Sequence, residues 1–188
     1  MRRLRAAPRH DFVGTPTDSA IEWKWRNFLR IKENPWLLDH QIQGAIQLSP
    51  TALLCTIIEA VRQVAQRRND SIIGFELIDV EFPNPLLITD DGVEVYTELY
   101  PTGKLSEHRD STSQFRFRIF AVAESSPEPY CTGTITLENK FVRSLPKNLR
   151  DVSKSSWSPQ APKEFYSDWS SKGIQWGNDL SHIKLIML

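Results

Sequence analysis

The spacing of apolar and polar positions changes period twice along this chain, and the two changes outline its architecture. From Gln41 to Leu48, the residues Ile42, Gly44, Ile46 and Leu48 alternate against Gln41, Gln43 and Gln47. Period two of this kind marks a strand with one buried face. At Ser49-Pro50 the period lengthens. Leu53, Leu54, Ile57, Ile58, Val61, Val64 and Ala65 follow at three- and four-residue spacing, with Arg62, Gln63, Gln66 and Arg67 between them. Ser49 is a good N-cap, and a proline suits the first helical position. Arg67-Arg68 falls where the helix dipole favours cations, and Asn69-Asp70 stops the pattern. One long helix over residues 50–67 is therefore predicted.

Period two returns after Ser71. Residues 72–82, 93–100, 114–123 and 130–139 read as strands, set apart by Asp90-Asp91-Gly92, Ser106-Glu107 and Ser125-Ser126-Pro127. Residues 21–32, with Trp23, Trp25, Phe28 and Ile31, predict a strand at the front. Short strands between such turn signals indicate an antiparallel sheet, and one long helix against it makes an α+β arrangement.

The chain divides into three parts on composition. Residues 1–142 hold the strands and the helix, behind a loosely held start at residues 1–20. Residues 143–162 read as a linker, with Pro146, Pro159 and Pro162 among serines and lysines and with Trp157 exposed. Residues 163–188 show a short helical pattern at Phe165 and Trp169, then Gly173-Ile174-Gln175-Trp176-Gly177, and are expected to be weakly packed.

Composition narrows the function classes. Of 188 residues, 40% are hydrophobic, and six tryptophans and nine phenylalanines supply a core. Lys+Arg and Asp+Glu both number 23, so no net field favours nucleic acid or a membrane surface. Arg2, Arg3, Arg5 and Arg9 are not followed by an apolar run, so the start is no secretory signal, and no run reaches the length of a membrane span. The expectation is a cytoplasmic protein without a metal site, its isolated Cys55 and Cys131 being buried, reduced thiols. His10, His108, Asp179 and His182 read as surface residues, and Tyr96 and Tyr100 as sheet-face residues. His40 is the candidate for chemistry, because it stands between an apolar run and a glycine just ahead of the helix.

The order His40-x-x-x-Gly44 with Ser49-Pro50 resembles the His-x-x-x-Gly-x-x-x-x-Pro signature of polyketide synthase dehydratase domains, and of the fungal highly reducing type in particular. The resemblance extends along most of the chain. His10-Asp11-Phe12-Val13-Gly14 is similar to the family's opening His-x-Leu-Leu-Gly. Trp25-Arg26-Asn27-Phe28-Leu29 and Asn34-Pro35-Trp36-Leu37 resemble the entry to its catalytic strand, and Ile58-Glu59-Ala60 matches a triplet of its central helix. Gly74-Phe75-Glu76-Leu77 and Tyr130-Cys131-Thr132-Gly133-Thr134-Ile135 resemble later strands. Gly173-Ile174-Gln175-Trp176-Gly177 with Leu180 is similar to Gly-x-x-Tyr-Gly-Pro-x-Phe. The departures are Ser49 at the proline position, Leu53 for a tyrosine, and Trp176, Asn178 and Leu180 in the last motif.

This resemblance implies a hotdog fold, an antiparallel sheet wrapped around one central helix, forming the first half of a double hotdog. It implies that residues 1–142 are that hotdog and residues 163–188 the start of a second. It implies that His40 is a general base acting on a β-hydroxyacyl thioester held on the phosphopantetheine of an acyl carrier protein, with no other cofactor. The thioester would be bound by backbone N–H groups at Gly44 and, at the start of the helix, at Thr51 or Ala52. The family's aspartate acid falls past Leu188, so the acid partner is expected to be missing and the enzyme incomplete. Other synthase domains are the implied partners, together with a second copy of this chain. Two further readings stand beside this one. The first is a non-catalytic hotdog interaction module or the relic of a broken synthase gene. The second is a self-sufficient hotdog lyase or thioesterase that completes its site across a dimer.

Overall fold

The computed structural model of the protein describes residues 9–17, 23–102, 113–122, 127–138, 159–184 and 186–187. Most of the expected linker, with Trp157, and His108 lie outside the described residues.

The long helix α1 spans Pro50–Arg68 and both of its ends follow the sequence signals. Ser49 Oγ accepts a hydrogen bond from the Ala52 N–H at 3.2 Å, which satisfies one of the unpaired donors at a helix start. Asn69 adopts a left-handed conformation (φ 58°), and its N–H closes back on Ala65 and Gln66 carbonyls. Asparagine tolerates that conformation better than most residues, so the chain turns sharply out of the helix.

Around α1 runs a six-stranded antiparallel sheet. In chain order its members are β1 (Thr15–Pro16), β2 (Trp23–Leu29), β5 (Gly74–Glu81), β6 (Val93–Pro101), β7 (Gln114–Val122) and β8 (Pro127–Glu138). Their spatial order is β1-β2-β6-β7-β8-β5. The inner face carries Trp25, Val95, Leu99, Phe115, Phe117, Ile119, Cys131 and Ile135, all buried in one core cluster with Leu53, Ile57, Ala60, Val61 and Val64 of α1. This is the hotdog arrangement that the change of period predicted. Burial pushes the Cys131 thiol up to about 12, which keeps it protonated and inert. Cys55 departs from expectation, since it is exposed on the solvent side of α1.

The outer face of the sheet is polar and paired. Glu98 accepts from Lys24 and Arg118, at 2.8 Å and 2.6 Å, and from the Tyr100 hydroxyl. Tyr96 bonds to Glu94 and stacks on Phe120. Both tyrosines thus belong to the sheet face, as read from the sequence. His10 is half-buried rather than free on the surface, with Nε2 3.7 Å from Glu59 of α1.

The strand expected over residues 41–48 is instead a small hairpin. A 3₁₀ turn at Pro35–Asp39 leads into β3 (His40–Ile42), which pairs with β4 (Ala45–Ile46). The two-residue loop between them is Gln43-Gly44, both with positive φ (51° and 79°). This is the conformation that lets a tight hairpin follow the twist of its strands, and glycine takes it without strain.

The last residues of the expected linker and the segment after it are held by strand pairing. The strand β9 (Pro159–Gln160) pairs with β11 (Ile186–Met187), and between them lie helix α2 (Pro162–Ser171) and strand β10 (Ile174–Trp176). β10 pairs antiparallel with β3, which sets Trp176 opposite His40 and Ile174 opposite Ile42. The sequence showed helical spacing here but no partner. The partner is a strand more than a hundred residues upstream, which local periodicity cannot reveal.

Candidate active site

His40 begins β3, directly after the 3₁₀ turn. Its Nδ1 lies 3.0 Å from the Gln47 carbonyl oxygen, and its own carbonyl accepts from the Gln47 N–H at 3.1 Å. A carbonyl oxygen only accepts, so Nδ1 is the donor of this bond, and the neutral tautomer compatible with it has its lone pair on Nε2. The imidazole is half-buried and forms part of the wall of a cleft of about 610 Å³. That volume is within the range of small-molecule sites.

Three parts of the chain build the cleft. His40, Ile42, Gln47 and Leu48 come from the hairpin, and Pro50 and Leu53 from the first turn of α1. Phe82, Asn84, Pro85 and Leu86 come from the turn after β5, while Phe165, Trp169, Ile174 and Trp176 come from α2 and β10. The hairpin is fastened on both sides. Leu48 N–H donates to Leu86 O and Ile88 N–H to Ile46 O, both at 2.9 Å, while Gln43 N–H donates to Gly173 O at 2.6 Å. The aromatic wall is a cluster of its own. The rings of Phe165 and Trp176 stack at 6.1 Å, and Trp169 meets Trp176 edge-on at 6.2 Å. A largely apolar slot with one imidazole and the positive end of a helix dipole suits a ligand that is apolar along its length and develops negative charge near His40.

A family model described as the polyketide synthase dehydratase domain matches residues 10–121. The highly reducing polyketide synthase ausV of Aspergillus calidoustus is 30% identical over 191 residues, covering 94% of this chain and 7% of that protein. This chain belongs to the polyketide synthase dehydratase family. The solved dehydratase domain from the CurF module of curacin polyketide synthase shares its fold, with a TM-score of 0.76 at 19% identity over 95% of this chain and 62% of that one. The dehydratase domain of PpsC from Mycobacterium tuberculosis, solved in complex with C12:1-CoA, gives 0.67 at 16% identity over 96% of this chain and 59% of that one. The chain thus spans less than a tenth of its synthase relative and about three fifths of these solved dehydratase domains.

Within this dehydratase fold the expected site residues do not all converge. His40 lines the cleft. Gly44 does not: it is exposed at the tip of the hairpin, and a Cβ added there would meet nothing within 4 Å. Its structural task is the tight turn. Ala52 is buried and its N–H is held by Ser49, while the exposed Thr51 shares a 2.9 Å hydroxyl–hydroxyl bond with Ser49. Among the described residues no carboxylate bonds to or pairs with His40. None of them forms a group suited to hold a metal ion, and no described helix is long and apolar enough to cross a membrane.

Sequence reasoning missed the far walls of the cleft. Asn84 lies between the prolines that bound the expected strand over residues 72–82, and its Nδ2 donates to the Pro129 carbonyl at 3.2 Å, which fixes the turn. Trp176 was visible in its glycine-flanked motif, but nothing local linked it to His40. His182 and Asp179 are exposed, as expected, and do not line the cleft.

Proposed function

We propose that this chain supplies the base-bearing half of a site that dehydrates β-hydroxyacyl thioesters. The observation that carries the reading is the Nδ1–Gln47 hydrogen bond, which leaves His40 with a basic Nε2 at an apolar cleft. Nε2 takes the α-proton, and the electron pair of the broken C–H bond moves into the thioester as an enolate. The α1 N-terminus opposes that charge. Of the donors expected there, the Thr51 N–H is the one that the Ser49 cap leaves over. The pair then returns to form the α,β double bond as the β C–O bond breaks, and the hydroxyl leaves as water once an acid protonates it. No described residue stands ready as that acid, so the reading assigns it to a group outside this set.

The PpsC neighbour binds a C12:1 thioester in its structure. An acyl chain presented on the phosphopantetheine of an acyl carrier protein, within a larger synthase, is the substrate form that fits the apolar slot. The test is mass detection of α-deuterium uptake and of unsaturated product from a β-hydroxyacyl-pantetheine in heavy water. His40→Ala should lower α-exchange by ~10²–10⁴, the usual worth of a positioned base. Exchange that is absent in the parent chain, or unchanged in the variant, would leave a hotdog module that binds without catalysing.

A further inference from the structure

We infer that Asp39 is a positioning residue that clasps the aromatic wall of the cleft onto the strand carrying His40. The inference rests on the reading of that cleft as the thioester site, but the clasp itself can be measured without substrate. Asp39 ends the 3₁₀ turn, one residue before the base. Its backbone oxygen accepts from the Gly177 N–H at 2.8 Å, and its Oδ2 accepts from the Asp179 N–H at 2.6 Å. The second bond is charge-assisted, the stronger kind. These bonds continue the contact of β3 with β10 just past the point where Trp176 lies opposite His40. That strand pairing covers only three residues and no side chain of α2 is fully buried, so the clasp joins the Gln43–Gly173 bond in anchoring the wall to the hairpin.

Gly177 shows how tightly the clasp is built. A Cβ added there would fall 2.1 Å from Asp39 Oδ1 and 2.2 Å from its Cγ. Any side chain at position 177 must therefore expel the carboxylate from its place beside the Asp179 N–H. Two substitutions on segments far apart in sequence thus converge on one bond. Asp39 does not line the cleft. It acts through Trp176, whose ring joins Phe165 and Trp169 on the cleft wall. Losing the bond lets the wall move relative to Nε2 while leaving the imidazole and its Gln47 partner intact.

The experiment compares the parent chain with Asp39→Ala, Asp39→Asn and Gly177→Ala. It reads amide hydrogen exchange at Asp179, tryptophan emission, and binding of a medium-chain acyl-pantetheine thioester. Asp39→Ala should speed exchange at Asp179, shift the emission to longer wavelength and weaken binding roughly three- to tenfold, one hydrogen bond expressed as an equilibrium ratio. Asparagine keeps a carbonyl acceptor, so Asp39→Asn should restore most of all three. Gly177→Ala should reproduce the alanine phenotype at Asp39, with melting of the chain little changed in each case. Unchanged Asp179 protection in Asp39→Ala, or no recovery in Asp39→Asn, would overturn the clasp. A parent chain that binds no thioester would sink the functional reading alone, because the amide and emission signals would still decide the clasp.

Discussion

The two helices of this protein start alike and end in different employment. Both carry proline at the first helical position, and both present apolar residues on one side. α1 is capped by Ser49 and sinks that side into the sheet, where Ile57, Ala60 and Val61 lose all contact with solvent. α2 follows Ala161, which offers no side-chain cap, and none of its residues is fully buried. Its Phe165 and Trp169 face a cleft instead of a core. The apolar side of α1 holds the fold together, whereas that of α2 stays partly open to the cleft. The comparison teaches that an apolar stripe specifies burial against something, and only its neighbours decide whether that something is protein or substrate.

The contrast can be broken most forcefully at Ile57. We expect Ile57→Ala to cost about 2–5 kcal/mol in urea unfolding, through lost burial plus the cavity left behind. A cost below about 1 kcal/mol would mean that α1 is not the pillar of the sheet. Next comes the capping difference. Ser49→Ala should cost ~1 kcal/mol by the same measurement, because the Ala52 N–H loses its acceptor. The matched change Ala161→Ser at the start of α2 should leave global stability within about 0.5 kcal/mol.

A smaller effect concerns the paired polar groups on the outer face of the sheet. Burial alone would raise the Glu98 carboxyl, but hydrogen bonds from Lys24, Tyr100 and Arg118 outweigh it and hold it below the usual carboxylate range. Glu59 on α1 is lowered in the same way, burial being outweighed by hydrogen bonds from Arg62 and Gln63 and by His10. A group whose folded value is depressed stabilises the fold above its unfolded value, about 4.3 for glutamate, and loses that contribution as pH falls through the folded value. Melting temperature should therefore fall below about pH 4.3, and Glu98→Gln should flatten that acid limb. An identical acid limb in the variant would show that Glu98 is not part of it. The smallest effect on stability is expected at the cleft wall. Trp169→Ala should change unfolding free energy by no more than about 0.5 kcal/mol while altering thioester affinity. A large loss of stability there would make α2 a second pillar and erase the contrast.

How much could be read in advance depended on range. The α1 boundaries were legible because Ser49, Pro50, Arg67 and Asn69 act within one turn of the helix they delimit. The long strands were legible because alternation at residues 93–100 and 114–123 reports the buried face directly. His40 stood out by its position ahead of the helix, and the ordered motifs around it pointed to the dehydratase family. The hairpin at Gln43-Gly44 was hidden inside an apparently continuous alternation, since a two-residue turn disturbs the pattern too little to register. The partner of Trp176 was hidden for a different reason. β3 and β10 are three residues each, too short to carry a periodic signal, and they meet across more than a hundred residues of intervening chain, as do Asp39 and Asp179 beside them.

The sequence by itself determined the helix that fills the core, the strands that wrap it and the place of His40 just ahead of that helix. These depend on local propensity and on hydrophobic period, which every residue carries wherever the chain goes. Only the tertiary structure decided that the turn after β5 meets the hairpin, Leu48 N–H donating to Leu86 O, and that α2 and β10 return to wall the cleft. Those outcomes rest on contacts between segments distant in sequence. Their geometry follows from packing the whole sheet around α1, so no local pattern contains it.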